Sequence, residues 1–494
     1  MGKYILAIDS GTTSTRAVLF NHDCEIVGIS QKETNLFFPK PGWVEQDANE
    51  IWISALTCCS EVILKSKIDV REIDSIGITN QRETTIVWDR TTGLPVYNAL
   101  VWQSKQSNDI CQRWKDAGYE PMIAEKTGMI IDSYFSASKI RWILKNVDGA
   151  QEKADRGELM FGTVDSWLIY KLSGQTTHVT DVSNASRTLL ANIFTCEWDD
   201  TLLETLRVPK SMLPRIMPTS CEYAQTAPGL FFNQNIPICS AVGDQQAALF
   251  GQGCFEKGMV KNTYGTGGFM LMNTGNQVVS SAYGLLSTVG WKIGNEVTYA
   301  LEGSIFVSGS LMKWLRDNLN VFSDTKETAK MASSVPDTAG VYVVPAFVGM
   351  GAPYWDSSCK ASIVGLTLGA NKNHIVRAAL EAMAYQSMDV LASMEKDIGL
   401  PIRRMKVDGG ACANDFLLQF QSDLMQCSVE RMKSNELTVT GAAFLAGLAT
   451  GFWKMDDLKV DLDVCFTPKK SKEEMSKLYS GWKKAVENCL SYEA

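Results

Sequence analysis

The sequence predicts an α/β protein of two domains, each a mixed β-sheet flanked by helices, facing each other across a cleft. Three observations predict it. The chain has 494 residues, too many for one core, since domains usually hold ~100–200. Runs with strand patterning alternate with runs of helical period along its whole length. Each half opens on a β-hairpin whose turn carries glycine and threonine, Gly11-Thr12 in one and Gly265-Thr266 in the other.

The elements follow in order. Tyr4 to Asp9 is an apolar strand, Ser10 to Ser14 a turn, Arg16 to Phe20 a second strand and Glu25 to Lys32 a third, which together make a meander. Asp47 or Asn49 caps an amphipathic helix running to about Leu64. Strands at Ile73–Thr79 and Thr84–Asp89 come next, then helical patterns near 104–117 and 136–147. Past residue 235 the pattern starts again. Ile236 to Gly243 is a strand that leads into a small-residue helix from Asp244, and Met259–Tyr264 with Phe269–Met272 forms the second hairpin. A strand at 406–408 and helices at Thr438–Leu448 and Glu473–Cys489 close the chain. No long sequence repeat is visible, so the repeat is expected in structure alone. Expected domains are 1–251 and 252–494, hinged in a helix near residue 250.

Composition narrows the function classes. A formal net charge of -8 argues against a nucleic-acid partner. No apolar run reaches the ~18–20 residues of a membrane span. The first residues lack a signal-peptide pattern and the carboxy-terminal Ser-Tyr-Glu-Ala is no peroxisomal address, so a cytoplasmic location is expected. Thirteen scattered cysteines without C-x-x-C spacing read as reduced thiols that mostly fill cores. The three histidines, His22, His178 and His374, lie far apart and have no zinc-like neighbours.

Three loops carry phosphate chemistry. Asp9-Ser10-Gly11-Thr12-Thr13-Ser14, with Arg16 behind it, offers backbone N–H groups and hydroxyls to an anion, and Asp9 can hold Mg²⁺ directly or through water. Alone, it is equally well a plain hairpin turn. Tyr264-Gly265-Thr266-Gly267-Gly268 is a second such loop, and Asp408 to Asn414 ends a strand and opens a helix with two glycines. G-x-x-x-x-G-K-[S/T] and G-x-G-x-x-G are both missing, which leaves two β-hairpins facing each other across a cleft as the phosphate cradle.

These residues bring out a resemblance. Ile8 to Ser14, Gly42-Trp43-Val44-Glu45, Asn80-Gln81-Arg82-Glu83-Thr84-Thr85, Gly243-Asp244-Gln245-Gln246, Asn262 to Gly267 and Val407 to Ala411 resemble the FGGY carbohydrate kinases, which share the actin-like (ribonuclease H-like) ATPase fold. The Asn-Gln-Arg-Glu-Thr-Thr and Gly-Asp-Gln-Gln segments are similar to the glycerol branch of that family. The likeness implies ATP and Mg²⁺ as cofactors, glycerol as substrate and a homo-oligomer of two or four subunits. Arg82, Glu83, Tyr134, Asp244 and Gln245 would bind the polyol, with Trp102 and Phe269 on its carbons. Singly, Arg82-Glu83 reads as a surface ion pair, and Trp102 and Phe269 as core aromatics. Asp244 would be the catalytic base, a role compatible with capping its helix. Thr12, Thr13, Ser14, Arg16 and Thr266 would face phosphate, Gly309, Gly410 and Asn414 the adenosine, and Asp9 and Asp244 the Mg²⁺. Lys313 stands where the family commonly places a Gln near the nucleotide, and Ser10 where it places a Gln after the first Asp. Another sugar kinase of this family, or a non-catalytic actin-like ATP-binding protein, are the competing expectations.

Overall fold

The computed structural model describes residues 2–356 and 358–490. The carboxy-terminal tetrapeptide considered above lies outside the described residues. In the first half β1 (Tyr4–Ser10), β2 (Ser14–Phe20), β3 (Ile26–Glu33), β4 (Ile73–Asn80) and β5 (Pro237–Gly243) take the order β3-β2-β1-β4-β5. The first three are the expected antiparallel meander, and β4 and β5 join it in parallel. In the second half β6 (Val260–Tyr264), β7 (Gly268–Gly275), β8 (Glu296–Ile305), β9 (Arg404–Asp408) and β10 (Ser428–Met432) take the same order, β8-β7-β6-β9-β10. Their senses match as well, two antiparallel pairings followed by two parallel ones. One five-stranded unit is therefore used twice without a repeated sequence. Edge strands Ser220–Gln225 and Leu286–Ile293 meet at a Ser220–Ile293 pair, which joins both units into one continuous sheet.

Four helices matter for the site: α1 (Ala48–Ser66), α2 (Asp244–Gly251), α3 (Lys372–Ile398) and α4 (Leu437–Thr450). Asp47 caps α1 by accepting the Asn49 N–H at 2.8 Å. Ile51, Ala55, Cys58 and Val62 recur three or four apart on α1 and pack against Leu6 and Ile8 of β1. Ile5 and Ala7 point to the opposite face, into a core made with α2 and α4. Strand β1 is apolar throughout because both of its faces are covered. Each fully buried aliphatic side chain contributes about 1.5–3 kcal/mol, so this central strand is firmly held.

Although α4 comes from the second half of the chain, it lies on β1, β4 and β5 of the first. A Cβ at Gly441 would stand 2.0 Å from the Ala247 carbonyl oxygen, and one at Gly251 2.0 Å from that of Leu437. Glycine on both helices is what lets α2 and α4 cross this closely. The helix expected from residue 104 begins only at Asn108, because the preceding turn is tied down by Val101 N–H to Val44 and Lys105 N–H to Gly42. All thirteen thiols are free, ten of them buried. Among the described residues no helix is long and apolar enough to cross a membrane.

Candidate active site

Three parallel neighbours end together at one edge of the first unit. Register pairs Asp9 with Thr79, Ser10 with Asn80, and Asn80 with Gly243. Asp9, the Gln81-Arg82-Glu83 turn and Asp244 consequently emerge side by side beyond the C-terminal strand ends, the usual ligand edge of a parallel sheet. In the second unit Thr263 pairs with Asp408, so the Tyr264–Gly268 turn and the segment from Gly409 emerge side by side too.

Asp244 is the first residue of α2 and not its cap. The strand conformation runs on to Gly243, which takes the capping position, so the capping expectation fails. The Asp244 Oδ1 accepts the Gln245 N–H at 2.7 Å and stands 3.2 Å from Arg82 Nε. Burial pushes its carboxyl up, against the pull of Arg82 and Lys261. Burial also pushes Asp9 up, to about 7; Arg16 opposes the shift, while Asp244 and Glu436 add to it.

Every residue expected at the polyol site lines one cavity of about 410 Å³: Arg82, Glu83, Trp102, Tyr134, Asp244, Gln245 and Phe269, together with Thr12 and Thr13. Its aromatic wall is fixed by edge contacts of Trp102 with Tyr134 and Phe269, at 5.6 and 6.2 Å between ring centres. The Trp102 indole N–H donates to the Thr12 hydroxyl at 2.9 Å, tying that wall to the first turn. Glu83 holds a positive φ of 60°, with the Thr84 N–H bonded to the Arg82 carbonyl at 2.7 Å. This costly backbone is over-determined, since the Thr85 and Ser136 hydroxyls both donate to the Glu83 carbonyl at 3.0 Å.

A second cavity, of about 490 Å³, is lined by Thr266, Gly309, Gly410 and Asn414 as expected, and also by Lys313. Thr266 lines both cavities, so they meet at the second glycine-threonine turn. A Cβ on Gly410 would meet nothing within 4 Å, and its face is open. The Asn414 amide is already engaged: its oxygen caps the next helix at the Leu417 N–H, and its nitrogen donates to the Thr328 hydroxyl, both at 3.1 Å.

Two residues expected to face phosphate stand apart from both cavities. Ser14 and Arg16 are not among the residues lining either cavity, because β2 carries them back along the sheet. The Ser14 carbonyl closes the turn by accepting the Gly11 N–H at 3.0 Å. Arg16 lies beside Asp9 in register and forms an ion pair with Glu436 at 3.0 Å.

Sequence reasoning missed three buried ions. Lys261 donates to the Gln245 side-chain oxygen and, at 2.9 Å, to the Thr263 hydroxyl; burial lowers its ammonium to about 8. Arg187 donates to Glu83 at 2.6 Å and to Glu302 at 3.0 Å. Glu302 is fully buried; that burial opposes its charge, but Arg187 and Arg82 outweigh the penalty and hold its carboxyl below the usual range. One signal was present, a carboxylate inside the apolar strand Tyr299-Ala300-Leu301-Glu302.

A family model for the FGGY carbohydrate kinases matches the chain in two parts, the N-terminal domain over residues 4–251 and the C-terminal domain over 260–450. The chain belongs to the FGGY family of carbohydrate kinases. Among FGGY relatives, the glycerol kinase of Bacillus licheniformis is 58% identical over 489 residues, 98% of this chain and 99% of the relative. That of Bacillus subtilis is 55% identical over 496 residues, spanning both chains entirely. The structure of Plasmodium falciparum glycerol kinase with ADP superposes with a TM-score of 0.93 at 37% identity, over 99% of each chain. Gluconate kinase from Lactobacillus acidophilus, at 22% identity and a TM-score of 0.87 over 98% of both chains, shares the fold. The architecture is thus the two-domain FGGY fold of the actin-like ATPases, α/β with mixed sheets flanked by helices.

Proposed function

We propose that this chain transfers the γ-phosphoryl group of ATP to glycerol, giving sn-glycerol 3-phosphate and ADP. The observation that carries the reading is one cavity where a neutral donor–acceptor pair, an aromatic wall and the Asp244 carboxylate converge, joined at Thr266 to a second cavity sized for a nucleotide. Full-length relatives named glycerol kinase support it. In this reading Trp102 and Phe269 cover the carbons of glycerol, and Arg82 and Glu83 read its hydroxyls, one donating and one accepting. Tyr134 and Gln245 complete the hydroxyl contacts. Asp244 accepts the proton of the attacking hydroxyl, and its upward-shifted carboxyl makes it a better base than a surface aspartate.

Thr12, Thr13 and Thr266 with their backbone N–H groups face the phosphates, and Gly309 and Gly410 flank the adenosine. Residues 1–251 then carry the polyol cavity, the first turn and the base, and 252–494 the second turn and the adenosine pocket. Mg²⁺ fits the donor set. No cluster of three or more ligating side chains exists among the described residues, but Asp244 lies close enough to Asp9 to raise its proton affinity. Two carboxylates completed by phosphate oxygens and water suit this cation. The chemistry it supplies when bound is neutralisation of phosphate charge. The reading extends to a cytoplasmic homo-oligomer.

The test is ADP release with Mg²⁺-ATP against a panel of glycerol, D-xylulose and D-gluconate. Strong dependence on glycerol is expected. Preference for a sugar would move the substrate within the family, and turnover indifferent to all three would overturn the kinase reading.

A further inference from the structure

Four of the five guanidinium hydrogens of Arg82 are bound within the protein. Nη1 donates to Glu302 Oε2 at 2.5 Å and to Gln246 Oε1 at 3.3 Å, while Nη2 donates to Glu302 Oε1 at 3.1 Å and to Tyr134 Oη at 3.2 Å. The Nε hydrogen alone makes no hydrogen bond among the described residues, although Asp244 Oδ1 is 3.2 Å and Glu83 Oε1 3.9 Å from the nitrogen. Glu83 mirrors this. Its Oε1 accepts Arg187 Nε at 2.6 Å, the one hydrogen bond its carboxylate takes among the described residues.

Behind this pair, Glu302 binds both arginines, and the Ser304 hydroxyl steadies its Oε1 at 3.0 Å. Arg187 is wedged over the rings of Tyr134 and Phe135, at 5.5 and 5.3 Å. Neither Glu302 nor Arg187 lines the cavity. Glu302 is delivered by β8 of the second unit, whereas Arg82, Glu83 and Arg187 come from the first half of the chain.

We infer that Glu302 and Arg187 are positioning residues of the polyol site, which together with Gln246 and Tyr134 occupy every other donor and acceptor so that substrate meets one N–H of Arg82 and one oxygen of Glu83. The inference rests on the polyol reading of the cavity. One donor beside one acceptor selects two adjacent hydroxyls, the first accepting from Nε and the second donating to Oε2. A guanidinium released from Glu302 is free to turn, and its Nη groups then compete for the same hydroxyls. Because Glu302 belongs to the second unit, the polyol-reading pair is set only when both units are in place around it.

Discrimination between glycerol and propane-1,2-diol, which keeps a primary hydroxyl and its neighbour but lacks the third, tests this. The ratio of kcat/KM for the two substrates should fall at least about tenfold in Glu302→Gln and in Arg187→Met. Arg187→Lys, which restores charge but not the fork, should recover part of it. KM for ATP should stay within about threefold of native. A merely structural role would lower both substrates' kcat/KM alike and leave the ratio within about twofold of native, which would overturn the inference. If Glu302→Gln does not fold, Glu302→Asp carries the test, with the charge kept and its reach shortened; the ratio should then fall about threefold or more. A native enzyme inert toward glycerol would sink the polyol reading and the inference with it. Native activity on glycerol with a ratio that survives these substitutions would sink the inference alone.

Discussion

Gly309→Ala places a methyl group where the nucleotide cavity has no room for one. Its Cβ would stand 2.6 Å from the Gly265 carbonyl oxygen, about 0.8 Å inside the nearest ordinary contact, and the obstacle is backbone. Four hydrogen bonds pin the Ser308–Ser310 segment to the second turn: Gly309 N–H to Gly265 at 3.0 Å, Ser308 N–H to Thr266 at 2.9 Å, and the Ser310 N–H and hydroxyl to Thr266 at 3.2 and 2.8 Å. Relieving the clash lengthens the first of these beyond bonding range and strains a second. At about 0.5–1.5 kcal/mol each, the loss is roughly 1–3 kcal/mol in the arrangement that accepts ATP. KM for ATP, measured at saturating glycerol, should rise about 5- to 150-fold. KM for glycerol should stay within about threefold, because Gly309 and Gly265 do not line the polyol cavity. An unchanged KM for ATP, or an equal rise for both substrates, would refute the placement of the nucleotide.

Lys261→Met removes the cation that holds the Gln245 amide, so KM for glycerol should rise about tenfold, and the nearby buried Asp408 should lose about 3 kcal/mol of compensation, visible in urea unfolding. Asp9 must lose its proton to hold a cation, so the requirement for free Mg²⁺ should rise as pH falls below about 7. Asp9→Asn should raise that requirement at least about tenfold and flatten its pH dependence, as titration of free Mg²⁺ at fixed ATP will show. Burial lowers His178 to about 4, despite its hydrogen bond to the Phe161 carbonyl at 2.8 Å. The unfolded chain therefore binds a proton that the folded one refuses. That stability is complete above the ordinary histidine value and is lost as pH falls from about 6.5 towards 4, by roughly 3 kcal/mol. Urea titrations of native and His178→Gln at pH 7.5 and 4.5 should show the smaller loss in the variant.

The features legible in the sequence were those in which chemistry sits on a local pattern. Asp9 at a strand end before Gly11-Thr12, Gly265-Thr266 between two strands, and Asp244 between a strand and a helix all announce themselves within a few residues. Arg82 and Glu83 were found through the resemblance, not through their spacing. Glu302, Arg187 and Lys261 were missed because their meaning lies in partners far along the chain: Glu302 meets Arg82 only after β8 is laid against the first half. A carboxylate in an apolar strand announces a buried charge without naming its counter-ion. The same holds for α4, readable as a small-residue helix from Thr438 but not as the cover of β1. The short helix Glu120–Thr127, with Pro121 at its start and Gly128 at its end, gave too little period to register.

The central claim is that Asp244 is the base that makes glycerol a nucleophile. Its most direct test is ADP release from Mg²⁺-ATP, with and without glycerol, by the native chain and by Asp244→Asn. Strong glycerol dependence is expected in the native chain and a fall of about 10²–10⁴ in the variant, with the fold intact by thermal unfolding. Glycerol-dependent turnover in Asp244→Asn within about threefold of native would contradict it and pass the proton to another group.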